Sequence, residues 1–186
     1  MASRDEIADL LRLDDERFRA RFPSVLDADE YDAGRATRLA DGEPAPDDDF
    51  GDFDDLDNDR GGIGGRERAL IRRIRVLDGS PLGITLTGPA YADNPLVYAD
   101  RTFRELTGYA LDELRGHNLR LLQGEATESE PVATLAAALS AWNRATVTLT
   151  NYRADGTTFR NRVSIVPVTD DGGTVVNWIG LQRAVE

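Results

Sequence analysis

The sequence predicts an α+β domain built on a five-stranded antiparallel sheet with helices on one face, preceded by an N-terminal helical and acidic extension. Three observations carry this. Strand patterns run in succession over Ala145–Tyr152, 158–168 and 174–184, joined by the turn pairs Asp155-Gly156 and Gly172-Gly173, which makes a meander. Two shorter strand patterns, Gly83–Thr87 and Leu96–Ala99, come earlier, and helical stretches over Arg101–Thr107 and 131–141 lie between the two groups. Before all of these, residues 41–65 turn to Asp, Gly and Pro, which marks a linker rather than a packed segment.

The chain of 186 residues accommodates one well-packed domain with additional segments, and is too short for two ordinary ones. Its divisions read as a helical segment over 1–40, an acidic Gly-rich linker over 41–65, a helix over 66–79 and the α+β domain over 80–186. In the first segment Ile7, Leu10, Leu11, Phe18 and Phe22 fall near helical spacing among charges, so residues 5–22 read as one amphipathic helix. In the linker, Asp55-Leu56-Asp57-Asn58-Asp59 imitates the start of a calcium loop. The glycine comes one place late, however, and the twelfth position is Arg66 rather than glutamate, so a solvated acidic linker is the reading. Over 66–78, Leu70, Ile71, Ile74 and Leu77 share one side of a helix otherwise rich in arginine, and Gly79-Ser80-Pro81 stops it. That apolar side suits packing on the sheet or pairing with a second copy, and a homodimer is expected.

Composition excludes several function classes. Without cysteine there are no disulfides, thiolate metal sites or thiol nucleophiles. His117 is the only histidine, and a metal site would need companions beside it, so no metal is expected. The N-terminus has no signal-like apolar run, and no stretch approaches the roughly 20 apolar residues that span a bilayer, so a cytoplasmic protein without membrane association is expected. The net charge of −12 is uneven: residues 1–65 hold 20 of the 34 acids and 8 of the 22 basic residues, all arginine, and the rest of the chain is balanced. An acidic chain is repelled by nucleic acid, so direct DNA binding is not expected. No nucleophile is paired with a base, so the chain does not read as an enzyme.

The amides are the informative polar residues. Strand alternation puts Asn151 on the face of Val147 and Leu149, Asn161 on that of Val163 and Ile165, and Gln182 on that of Trp178 and Gly180. An isolated strand-end amide reads as a turn cap. Three on the buried faces of successive strands read as a binding site, because a primary amide both donates and accepts without carrying charge, which suits the polar edge of a heteroaromatic ring.

The segment Gly116-His117-Asn118-Leu119-Arg120-Leu121-Leu122-Gln123-Gly124 resembles the G-R-N-C-R-F-L-Q-G motif of light-oxygen-voltage (LOV) domains, the flavin-binding blue-light branch of the PAS fold. Asn94-Pro95-Leu96-Val97-Tyr98-Ala99, Leu106-Thr107-Gly108-Tyr109, Asn151-Tyr152-Arg153-Ala154-Asp155-Gly156 and Ile179-Gly180-Leu181-Gln182 resemble further LOV blocks, so the resemblance covers about residues 83–184. It implies that Asn118 and Gln123 flank the ring and ribityl chain of FMN, that Asn151 and Asn161 hold the pyrimidine edge, that Gln182 faces the redox-active ring nitrogen and that Arg120 pairs with the phosphate. Thr85 belongs with this set. Many relatives carry a second phosphate-binding arginine where this sequence has Thr134, which leaves FAD and riboflavin as alternatives to FMN.

Leu119 stands at the position of the family's photoactive cysteine, so no cysteinyl-flavin adduct forms. What the resemblance then implies is a cysteine-less sensory module that responds to blue light by photoreduction of the flavin to a semiquinone, or to cellular redox state, with Gln182 signalling to the N-terminal helix. Trp178 is the first candidate electron donor because it shares a face with Gln182; Tyr98 and Tyr109 follow, with Tyr152 and Trp142 as further alternatives. The alternative function is a PAS interaction or dimerisation module without a physiological photocycle. No output domain is expected after Glu186, and the signal is expected to pass through noncovalent contact to an unidentified partner.

Overall fold

The computed structural model describes residues 3–25 and 63–186, which divide into two compact units between Gly79 and Ser80. The calcium-like segment at 55–59 and most of the 41–65 linker lie outside the described residues.

The first unit contains α1 (Arg4–Leu11), α2 (Asp15–Val25) and α3 (Gly65–Val76). A capping box starts α1: Ser3 Oγ accepts from the Glu6 amide at 3.2 Å and Glu6 Oε2 accepts from the Ser3 amide at 2.8 Å. The single helix expected over 5–22 is two. Asp14 Oδ1 accepts from the Arg17 amide at 2.9 Å, so this acid caps a new helix instead of continuing the old one, an option hydrophobic spacing does not register. Phe18 and Phe22, one turn apart on α2, stack at 5.6 Å between ring centroids. Arg73 of α3 donates Nε and Nη2 to Asp15 Oδ1 at 3.0 and 2.7 Å, and Nη1 to the Leu11 carbonyl at 3.1 Å. One guanidinium thus ties α3 to the junction of α1 and α2.

The second unit is a five-stranded antiparallel sheet in the order β2-β1-β5-β4-β3, where β1 is Gly83–Thr87, β2 Leu96–Ala99, β3 Ala145–Tyr152, β4 Thr158–Thr169 and β5 Val175–Val185. Helices α4 (Arg101–Thr107), α5 (Leu111–Leu114) and α6 (Ser129–Ser140) occupy the segment between β2 and β3. The chain thus makes the expected α+β fold, with small shifts at element ends: α6 begins at Ser129 rather than 131, and α3 ends at Val76 rather than 78.

Register fixes what each face carries. Thr85 opposes Gly180 and Thr87 opposes Trp178 across β1–β5, while Val163 opposes Gln182 and Ile165 opposes Gly180 across β4–β5. These residues share one face. The other carries Leu86, Ile179 and Val166, with Tyr98 opposite Leu86. Helix α4 sits on the first face: a Cβ on Gly83 would come within 2.8 Å of the Phe103 Cα, so only glycine permits this approach. Asp100 Oδ1 caps α4 through the Phe103 amide at 2.8 Å, and Gly108 closes it at a φ of 76°.

The edge strand β3 is partly covered. Glu128 Oε2 accepts from the Thr150 amide at 2.7 Å, and Thr127 Oγ1 donates to the Thr150 carbonyl at 2.7 Å, so side chains satisfy both outward backbone groups of Thr150. The Thr150 amide, together with the Glu128 backbone and the guanidinium of Arg160, holds the Glu128 carboxyl well below its usual range, at about 2. No helix among the described residues is long and apolar enough to cross a membrane.

Candidate functional site

Against the face of the sheet that bears Thr85, Trp178, Gly180 and Gln182 lies a cavity of about 230 Å³. Three structural pieces enclose it. The sheet forms the floor, with Leu149, Val163 and Ile165 as its apolar part. Helix α6 contributes Val132, Leu135, Ala136 and Leu139, which are spaced i, i+3, i+4 and i+7 and therefore form one stripe. The 3₁₀ turn Leu119–Leu122 and its flanks bring Asn118, Leu119, Arg120, Leu122 and Gln123 to the rim.

The amides converge as the strand parity predicts. Asn161 Nδ2 donates to Asn151 Oδ1 at 2.9 Å, and Asn151 Nδ2 passes the chain on to the Leu122 carbonyl at 3.2 Å. Gln182 Nε2 donates to Thr85 Oγ1 at 3.1 Å. Asn151, Asn161, Thr85 and Gln182 are all buried. Three polar atoms on this wall have no protein partner: Asn161 Oδ1, Gln182 Oε1 and the indole Nε1 of Trp178. A buried polar group left unpaired costs about 1–3 kcal/mol, so three beside one apolar cavity make this wall a candidate for hydrogen bonding to a ligand. Two acceptors and one donor, without a charged group among them, match the edge of a neutral planar heterocycle. The residues therefore fit a flavin ring.

Local backbone explains the approach. A Cβ on Gly180 would overlap both Thr85 Oγ1 and Gln182 Nε2, so glycine is what lets these side chains meet over the strand. Gly124 likewise makes room for the Tyr152 ring, whose hydroxyl accepts from the Ala126 amide at 2.9 Å.

At the rim, Asn118 Oδ1 accepts from the Arg120 amide at 2.8 Å and its Nδ2 donates to the Asp93 carbonyl at 2.6 Å. Arg120, expected to face a phosphate, is held by Asp93: Nη1 donates to Oδ2 at 3.1 Å and Nη2 to Oδ1 at 2.6 Å. Asp93 was not visible as a partner in the sequence, because a left-handed backbone at Asp93 and Asn94, with φ of 67° and 47°, turns it towards a residue 27 positions away. Asn94 and Thr87 also line the cavity and were missed as site residues. The helical stripe of α6 was the signal that could have located the remaining wall.

Among the aromatic candidates, Trp178 alone lines the cavity. Tyr98 lies on the opposite face of the sheet, Tyr109 is half-buried away from the lining, and Trp142 is 66% exposed. His117 is exposed, its Nδ1 3.2 Å from the Arg115 carbonyl.

Comparison with known proteins agrees with the fold. The matched segment is 39% identical over 116 residues to the bacterioopsin transcriptional activator of Halobacterium salinarum, covering 61% of this chain and 17% of that protein. It is 38% identical over 112 residues to a blue-light photoreceptor of Listeria monocytogenes, covering 60% of this chain and 44% of the other. The matched segment thus spans less than half the length of these curated relatives. Among solved structures, the LOV domain of a blue-light-activated histidine kinase from Erythrobacter litoralis superposes with a TM-score of 0.54 at 34% identity, covering 56% of this chain and 96% of that one. The family model of the PAS domain matches residues 81–185, more than half of the chain, and the chain therefore belongs to the PAS domain family.

Proposed function

We propose that this chain is a cysteine-less LOV sensory module that binds FMN noncovalently, with riboflavin or FAD as alternatives, and responds to blue light, or to cellular redox state, by one-electron reduction of the flavin. The observation that carries the reading is the set of unpartnered buried atoms on the cavity wall, Asn161 Oδ1, Gln182 Oε1 and Trp178 Nε1. When bound, the flavin supplies blue absorption and, once excited, a one-electron oxidant. The protein's residues supply the rest.

Asn151 and Asn161 orient the ring through their relayed amides, and the α6 stripe with Leu119 excludes water. Trp178, which lines the cavity, gives up one electron, which a cellular reductant then replaces. Leu119 has no lone pair to add to the ring, so the response is electron transfer with no bond to the protein. Gln182 registers the change. Its Oε1, which has no protein partner, would accept a hydrogen bond from a ring atom that takes up a proton from solvent, while Nε2 stays on Thr85.

That new bond would pull on the amide that holds Thr85 of β1, and Gly83, opposite Gln182, begins the strand that follows α3 in the chain. We therefore assign α3 as the recipient of the signal, and a homodimer and an unidentified protein partner as its readout. The role is sensory and not catalytic. Titration of flavin-free protein with FMN tests the reading: stoichiometric binding with quenched flavin fluorescence supports it, and failure to bind rejects it. After binding, an unchanged hydrogen-exchange pattern in α3 on flavin reduction rejects the signalling route alone.

A further inference from the structure

We infer that Asp93 sets the ligand selectivity of the cavity by neutralising its one cationic side chain, so that the site takes an uncharged riboflavin-type ligand about as readily as its phosphate ester. The inference rests on the flavin reading above and specifies the chemical class of ligand. Arg120 is the only charged residue among the described residues that line the cavity. Both terminal nitrogens of its guanidinium are engaged by the two carboxylate oxygens of Asp93, at 3.1 and 2.6 Å. This fork-to-fork geometry is the one a phosphate would use, so a phosphate must share or displace an anion already in place. It must also approach that anion's negative charge.

The pair is built into the loop. Asn118 Nδ2 holds the Asp93 carbonyl at 2.6 Å and approaches its Oδ1 at 3.4 Å, while Asn118 Oδ1 fixes the Arg120 amide. The left-handed backbone at Asp93, φ 67°, accompanies the turn of its carboxylate onto the Arg120 guanidinium. By contrast, the unpartnered atoms deeper in the cavity, Asn161 Oδ1, Gln182 Oε1 and Trp178 Nε1, are uncharged groups. The cavity therefore recognises the ring strongly and the charge on its tail weakly. Both side chains of the pair are 62% exposed, so the effect is modest and salt-sensitive.

The test is titration of flavin-free protein with riboflavin and with FMN, at low and high salt, for the wild type, Asp93→Asn and Arg120→Gln. Asparagine adopts the left-handed backbone readily, so Asp93→Asn preserves the loop. The expected result is a wild-type preference for FMN of no more than about threefold, rising about three- to fivefold further in Asp93→Asn at low salt while riboflavin affinity holds. In Arg120→Gln, with Asp93 unopposed, FMN is expected to bind more weakly than riboflavin. A wild type that strongly prefers FMN and loses that preference in Asp93→Asn overturns the inference, making Asp93 a residue that positions Arg120 for phosphate, and leaves the flavin reading intact. Failure of both ligands to bind any of the three proteins overturns the flavin reading and this inference with it.

Discussion

Gln182 donates its side-chain amide to Thr85, Nε2 to Oγ1 at 3.1 Å across the β1–β5 ladder, while its own Oε1 is buried without a partner. One end of the amide is anchored to the neighbouring strand and the other has no protein partner.

Replacing that amide separates stability from binding. In Gln182→Leu an unsatisfied acceptor disappears along with the Thr85 bond, and the two effects oppose each other, so the unfolding free energy of the flavin-free protein should change by less than about 1 kcal/mol. Flavin affinity should fall about tenfold, one hydrogen bond's worth. Denaturant titration and flavin titration on the same preparation check this; a large loss of stability with unchanged affinity would show that Gln182 is structural.

Leu119 lines the cavity from the 3₁₀ turn. If it occupies the position the sequence resemblance gives it, Leu119→Cys should form a light-driven, thermally reversible adduct with the bound flavin, visible as loss and recovery of the oxidised spectrum without added reductant. Bound flavin that shows no adduct in this variant would contradict the placement of the turn.

Gly180 has no room for a methyl group because Thr85 and Gln182 meet above it. In Gly180→Ala one of the two must rotate away, at about 1–3 kcal/mol of stability. Weaker flavin binding should accompany that loss. An alanine variant with wild-type denaturation and wild-type affinity would mean that the contact is dispensable.

The edge of β3 carries a pH dependence. Glu128, lowered from its ordinary 4.5 to about 2 chiefly by the Thr150 amide, binds its proton less readily folded than unfolded. Its contribution is therefore complete above the ordinary carboxylate range and is lost as pH falls from there towards about 2. Wild type should be more stable than Glu128→Gln at neutral pH, and the gap should close on acidification across that window. A gap independent of pH would assign the effect to packing.

Much of the second unit was legible because strands declare themselves by alternation. Strand parity puts Asn151, Asn161 and Gln182 on the faces of their apolar neighbours, with Trp178 on that of Gln182, and all four line the cavity. What parity cannot supply is register between distant strands, so the sequence alone leaves Tyr98 a donor candidate, whereas its pairing with Leu86 puts it on the other face. Asp93 escaped notice because a pair of left-handed residues brings it to Arg120 across 27 positions. The break between α1 and α2 escaped for a different reason: Asp14 looks like any solvent-facing charge in a helical pattern, and only its bond to the Arg17 amide marks it as a cap.

The most direct measurement is the absorption spectrum of the purified protein before and after blue illumination with a mild reductant, followed through recovery in air. The expected result is a structured blue band of oxidised flavin that bleaches in light as the flavin is reduced and returns with oxygen. A colourless protein that takes up no added flavin would contradict it and leave a PAS module that serves interaction alone.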